Sequence, residues 1–169
     1  DYIRKQHPQA RVALLTGTDD FSKELRHGLE HGLGEKAKTM LVAAATVELS
    51  DPTVDSQIIA LQSSGADTFI NAVLPKHAAQ AIRKVYDIGW KPRQFVMYAS
   101  SSPGDVLIPA GAQKSVGVIS IDNQKDSTDL TWKDDPAMNE WRAWMQKYYP
   151  AGNQDDTANI YAYTLAQLL

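Results

Sequence analysis

The chain has no cysteine. That excludes a disulfide framework and any thiolate-based zinc or redox centre, and it leaves the compartment open. Positive charge is also scarce: 17 Lys and Arg against 20 Asp and Glu give a net charge of −3. No basic run gathers those cations, so the electrostatic footprint of a nucleic-acid surface is missing. The longest apolar stretches are of strand length, too short to cross a bilayer. No glycine-rich phosphate cradle follows the first apolar run. Thr16-Gly17-Thr18 is too short to hold a pyrophosphate, and no nucleotide cofactor is expected. Internal repeats and low-complexity segments are absent as well. No signal peptide precedes Asp1. The chain opens on helix-like DYIRKQ and stops inside apolar, helix-like TANIYAYTLAQLL, so the expectation is a fragment of a longer protein.

What remains is an ordinary globular composition, with 43% hydrophobic and 22% charged residues in 169. Five short apolar runs read as buried strands: Val12–Leu15, Met40–Ala45, Thr68–Val73, Phe95–Tyr98 and Val116–Ile121. They are continuous rather than alternating, as expected of strands covered on both faces. Helical patterns lie between them. Phe21, Leu25, Leu29 and Gly32 recur at helical spacing, as do Val54, Ile58 and Leu61, and then Ala78, Ile82 and Val85 with Ile88. The step from Asp51 to Trp90 is the clearest. It is helix, tight Gly65-Ala66-Asp67 turn, strand and second helix closed by Gly89. Ser102-Pro103 marks the start of a shorter helix, with Ser as N-cap. The alternation predicts an α/β fold: a doubly wound, parallel, five-stranded sheet with helices on both faces.

After Ile121 the texture changes. Asp122–Asp134 is polar and turn-rich and reads as a connector. One helix follows, capped by Asp135 with Pro136 at its first position and a stripe of Met138, Trp141, Met145 and Tyr148. A second begins near Asp156. Neither has a following strand to pack against, so residues 122–169 are expected to belong to another structural unit than 1–121. The Trp and Tyr cluster there is read as core or interface. Exposed, it would favour self-association.

Three constellations have chemical potential, and each also has a simpler role. His27-Gly28-Leu29-Glu30-His31 matches the inverted zinc-protease pattern, with His27 and His31 at ligand spacing on a helix. Gly28 and Gly32 soften that helix, Leu25 and Leu29 own its apolar stripe, and no strong third ligand follows. A zinc hydrolase is therefore the minor reading and two solvated histidines the major one. Asp19-Asp20 after the first strand invites a phosphoacceptor-type magnesium site, which needs an Asp at the end of the third strand. Asn71-Ala72-Val73 stands there instead, so one of the pair is expected to cap the next helix. Ser100-Ser101-Ser102 offers hydroxyls without a nucleophile turn or neighbouring His, which fits capping or ligand hydrogen bonding.

The segments VALLTGTDDFSKELRHGLEHGL, DPTVDSQIIALQSSGADTFINA, AAQAIRKVYDIGWKP and DPAMNEWRAWMQKYYP together resemble the periplasmic receptors typified by the leucine/isoleucine/valine-binding protein. These are the solute-binding components of ABC transporters. The similarity covers nearly the whole chain in order. It implies two doubly wound lobes with ligand held between them, residues 1–121 being the body of the second lobe. Residues 122–169 would be the return crossing and two helices of the first. The implied partners are a small-molecule ligand, an amino acid or an aliphatic or aromatic carboxylate, and a membrane permease, with no cofactor and no catalytic residue, in the periplasm.

The resemblance also implies a site. Ligands sit beyond the carboxyl ends of parallel strands, and the candidate positions there are Thr18, Asp19, Phe21, Leu74, Pro75, Ser100, Ser101, Ser102 and Asp122. Phe21 matches an aromatic residue that packs on ligand in relatives. The loop after the fourth strand often supplies an acidic partner for an amino-acid ammonium, whereas this chain has the three serines. A buried ammonium without a carboxylate is costly, so a carboxylate lacking an α-amine is an expected ligand, with Asp19 or Asp105 as alternative sources of charge. The rival to transport is a ligand-sensing regulator of the same fold.

Overall fold

The computed structural model describes residues 2–168. Asp1 and Leu169, the outer ends of the two terminal helical patterns, lie outside the described residues. Helix α1 (Tyr2–Gln6) leads to β1 (Val12–Gly17), α2 (Asp20–Leu33), a single turn α3 (Ala37–Met40) and β2 (Leu41–Val47). Then come α4 (Asp55–Ser63), β3 (Thr68–Ala72), α5 (Pro75–Asp87) and β4 (Arg93–Val96). A π-turn (Pro103–Leu107) runs into the short α6 (Ile108–Ala110), and α7 (Pro136–Tyr148) and α8 (Thr157–Gln167) close the chain.

The sheet is parallel throughout, in the order β2-β1-β3-β4. Because β1 leads outward to β2 and the chain then crosses back over β1 to β3, the winding reverses between β1 and β3. The alternation of side chains along the strands separates two cores. Ala13, Leu15 and Phe69 pack with Val54, Ile58 and Leu61 of the α4 region and Ala78, Ile82 and Val85 of α5. On the opposite face Val12 and Ile70 meet Leu33, Leu29 and Met40 around α2 and α3. A third cluster of Met138, Trp141, Met145 and Ile160 joins α7 to α8. It shares no buried member with the other two.

Local chemistry explains the boundaries. Arg11 staples the first strand to the turn before β3, donating from its guanidinium to the carbonyls of Gly65 (3.1 Å) and Ser64 (2.8 Å). Gly65 holds φ +71°, a conformation that disfavours other residues. Asp135 caps α7 through Met138 N and Asp156 caps α8 through Ala158 N, as their positions in the sequence predict.

Two expectations need correction. Among the described residues the sheet has four strands rather than five: the run Val116–Ile121 supplies a single parallel bridge, Ile119 to Phe95. Gly117 at φ +87° and the turn bond from Val118 N to Ser115 O consume its first residues, so the chain reaches the sheet late. The helical stripes are also narrower than read. Phe21 and Tyr148, assigned to them, are 45% and 62% exposed.

Candidate functional site

In an open parallel sheet the winding reversal marks where a crevice forms beyond the carboxyl ends, here those of β1 and β3, whose following helices α2 and α5 pack on opposite faces. Its first lip is the β1–α2 turn. Asp19 is the N-cap of α2, accepting from Ser22 N (3.0 Å) and Ser22 Oγ (2.9 Å). The Ser22 backbone N–H, then its hydroxyl, hold the Asp19 carboxyl below its usual value of 3.8. Gly17 makes this turn possible. A Cβ there would stand 2.5 Å from Ser22 Oγ and 2.8 Å from Asp19 Oδ2. Thr18 is exposed and donates to Glu48 Oε2 at 2.7 Å, tying the lip to the end of β2. Phe21 stands in solvent beside it.

The second lip is the β3–α5 turn. Leu74 is exposed, and Pro75 opens α5 with no side-chain cap on its first turn. An uncapped helix start leaves N–H donors and the positive end of the helix dipole unanswered. Behind this turn, Asn71 Nδ2 donates to Ala78 O (3.2 Å), and His77 bonds through Nε2 to Asp51 O (2.9 Å), fixing α5 against the loop after β2.

The serine loop behaves as a brace. Ser100 is fully buried and donates to Val73 O (2.7 Å), which joins the β4 loop to the second lip. Ser101 donates to Tyr98 O and Ser102 to Asp156 Oδ1. Asp105 is exposed, and Asp122 caps its own turn through Asn123 N and Gln124 N. Thus the structure gathers Thr18, Asp19, Phe21, Leu74 and Pro75 on the strand-end surface, and turns the Ser100 and Ser102 hydroxyls to protein partners. The bracing role of Ser100 had no sequence signal, because its partner is a backbone carbonyl 27 residues away.

An apolar groove of about 630 Å³ lies elsewhere, over the β3–β4 half of the sheet on the α2 side. Leu29, Ile70, Phe95, Tyr98 and Ile121 line it, and Tyr2 of α1 meets Phe95 edge-on at 6.0 Å. It opens on the sheet face and has no charged side chain in its lining. His27 and His31 are both exposed on α2, with His27 Nδ1 3.6 Å from the Glu24 carboxylate. Among the described residues no three His, Asp or Glu gather as metal ligands, and no helix is long and apolar enough to cross a membrane.

This α/β lobe with its strand-end crevice is of the kind found in solute-binding receptors. The chain belongs to the periplasmic binding protein family, whose profile matches residues 1–169. Comparison with curated proteins gave no match. Among solved structures, it is similar to a branched-chain amino acid ABC transporter protein from Thermus thermophilus with bound valine. That likeness has 18% identity and TM-score 0.75, covering 94% of this chain and 40% of the other. A substrate-binding periplasmic protein from Ralstonia solanacearum gives 20% identity and TM-score 0.68, covering 87% and 41%. A fatty acid ABC transporter substrate-binding protein from Thermomonospora curvata gives 16% and 0.67, covering 87% and 37%. The chain thus spans about two fifths of the length of these structures.

Proposed function

We propose that the chain is the second-lobe part of a receptor that captures a small organic solute between two lobes and presents it, chemically unchanged, to an ABC permease in the periplasm. Residues 1–121 form one jaw, and 122–169 carry the return crossing with two helices of the other. The observation that carries this reading is the open strand-end surface, where Phe21 and Leu74 stand 45% and 40% exposed on either side of the winding reversal. Large apolar side chains at a site flanked by polar groups are what a solute needs when a second surface closes over it. Closure then follows from contacts that the ligand makes only when both jaws meet.

The ligand class follows from charge. The uncapped start of α5 favours an anionic group, while Asp19, the carboxylate at the start of α2, already accepts two hydrogen bonds from Ser22. The loop after β4 carries Ser100, Ser101 and Ser102 rather than an acid, and their hydroxyls already bond to protein groups. An organic carboxylate without an α-amine suits this set, with its apolar part against Phe21 and Leu74.

A thermal-shift screen of the intact receptor against L-valine, L-leucine, L-phenylalanine, benzoate and decanoate tests the proposal. A carboxylate at a hundred times its Kd adds about 2.7 kcal/mol to stability. Tight binding of leucine would refute the amine-free ligand. A flat response to every carboxylate, with turnover of any one of them, would refute the receptor reading.

A further inference from the structure

The loop after β4 and the start of α8 are joined by a junction in which Ser102 and Asp156 each cap the start of their own helix and bond to one another. Ser102 is buried, and its single hydroxyl is used completely. It accepts from Asp105 N (3.3 Å), which caps the Pro103–Leu107 turn, and from Thr157 N (3.3 Å), and donates to Asp156 Oδ1 (3.0 Å). The same Asp156 oxygen caps α8 by accepting from Ala158 N (3.0 Å). Beside it Gly104 N donates to Asp155 O at 2.9 Å. There is no room for a side chain at Gly104: a Cβ would lie 2.6 Å from Asn153 Nδ2 and 2.7 Å from the Asp155 carbonyl carbon.

The character of this contact matters. Ser102 and Gly104 are joined to residues 155–157 by hydrogen bonds, and the buried apolar clusters on the two sides stay separate, so these contacts form a polar seam. A hydrophobic seam would be permanent, because separating it exposes apolar surface. A polar seam opens at small net cost, since water replaces each bond. Yet its geometry is demanding, with a glycine where any Cβ would collide. A reversible contact of exacting shape is suited to a conformational equilibrium.

We propose that the Ser102–Gly104 turn and the Asn153–Asp156 segment form an interlobe latch, made in the closed state and broken in the open one, which biases the receptor toward closure before solute arrives. This rests on the two-jaw reading above. Because the latch touches no solute, it changes affinity for every ligand by one common factor and leaves their ranking alone.

The test is small-angle scattering of the intact receptor without ligand, comparing wild type with Ser102→Ala, Gly104→Ala and Asp156→Asn. Ser102→Ala and Gly104→Ala are expected to enlarge the radius of gyration. Asp156→Asn keeps the Oδ1 acceptor and the helix cap, so it stays at the wild-type value and reports that the fold tolerates change there. In parallel titrations, every compound of the screen that binds wild type weakens together, about fivefold for Ser102→Ala and further for Gly104→Ala. An unchanged radius in both variants overturns the latch. So does an altered ligand ranking at unchanged radius, which would make Ser102 a ligand contact. If no compound binds wild type, the solute reading fails, and the scattering comparison still decides the latch.

Discussion

Replacing Gly17 with alanine tests the construction of the first lip at a single atom. The new Cβ would stand 2.5 Å from Ser22 Oγ, 2.8 Å from Asp19 Oδ2 and 3.3 Å from Ser22 Cβ. Gly17 is not among the glycines with positive φ, so alanine is compatible with the backbone and the effect is steric. Overpacking of this kind costs about 1–3 kcal/mol, and removing a glycine from the unfolded chain returns about 0.4–1 kcal/mol. The net is a destabilisation of about 1.5 kcal/mol, or roughly 3–6 °C in melting temperature at this chain length. Ser22→Ala alone removes one buried hydroxyl and its hydrogen bond, about 1 kcal/mol. It also removes the atom that the new Cβ meets first. The double variant should therefore lose less than the sum, with a coupling of about 1 kcal/mol. Melting of the four proteins by circular dichroism measures the cycle. Additivity within about 0.5 kcal/mol would refute the close approach of Gly17 to Ser22.

Three further outcomes follow from other parts of the molecule. Phe21→Ala and Leu74→Ala should each weaken solute binding in the intact receptor about tenfold, the worth of one buried apolar side chain, while the melting temperature barely moves because both residues are exposed. Trp141→Ala should cost about 3–5 kcal/mol to the α7–α8 pair, whose core it fills. Hydrogen exchange should rise over residues 136–167 and stay low in β1 and β3. Asp19, Asp55, Asp129 and Asp135 all have carboxyls held below 3.8, Asp19 and Asp129 by helix-start N–H groups, Asp55 and Asp135 first by Lys84 and Lys125. Folded values below the unfolded one mean stability present above pH 3.8 and lost as pH falls through the folded values. A melting temperature that is level above pH 5 and drops below pH 4 is expected, and Asp135→Asn should make the drop shallower.

The parts of the fold that the sequence made legible are those written in local chemistry. Val12, Ala13, Leu14 and Leu15 announce a strand buried on both faces, and Asp135-Pro136 and Asp156 announce helix starts, because the signal and its cause lie within a few residues. That one of Asp19 and Asp20 caps α2 was legible for the same reason, and the structure assigns the role to Asp19. The fifth strand was misread because Val116–Ile121 is apolar enough for a strand, while Gly117 and a turn bond to Ser115 delay its arrival at the sheet. The serine loop was ambiguous for another reason. Ser100 and Ser102 find partners 27 and 54 residues away, and no spacing rule reaches that far. The strand-end location of the crevice came from topology alone, which the alternation of elements already implies.

The most direct measurement is hydrogen exchange by mass spectrometry on the intact receptor, free and saturated with whichever compound of the screen gives the largest thermal shift. Clamping of a solute beyond the strand ends predicts new protection in residues 17–22 and 73–77, where the two lips face the crevice, with the solute recovered unaltered. Protection confined to the groove around Ile70, Phe95 and Ile121, or recovery of a chemically changed compound, would contradict it.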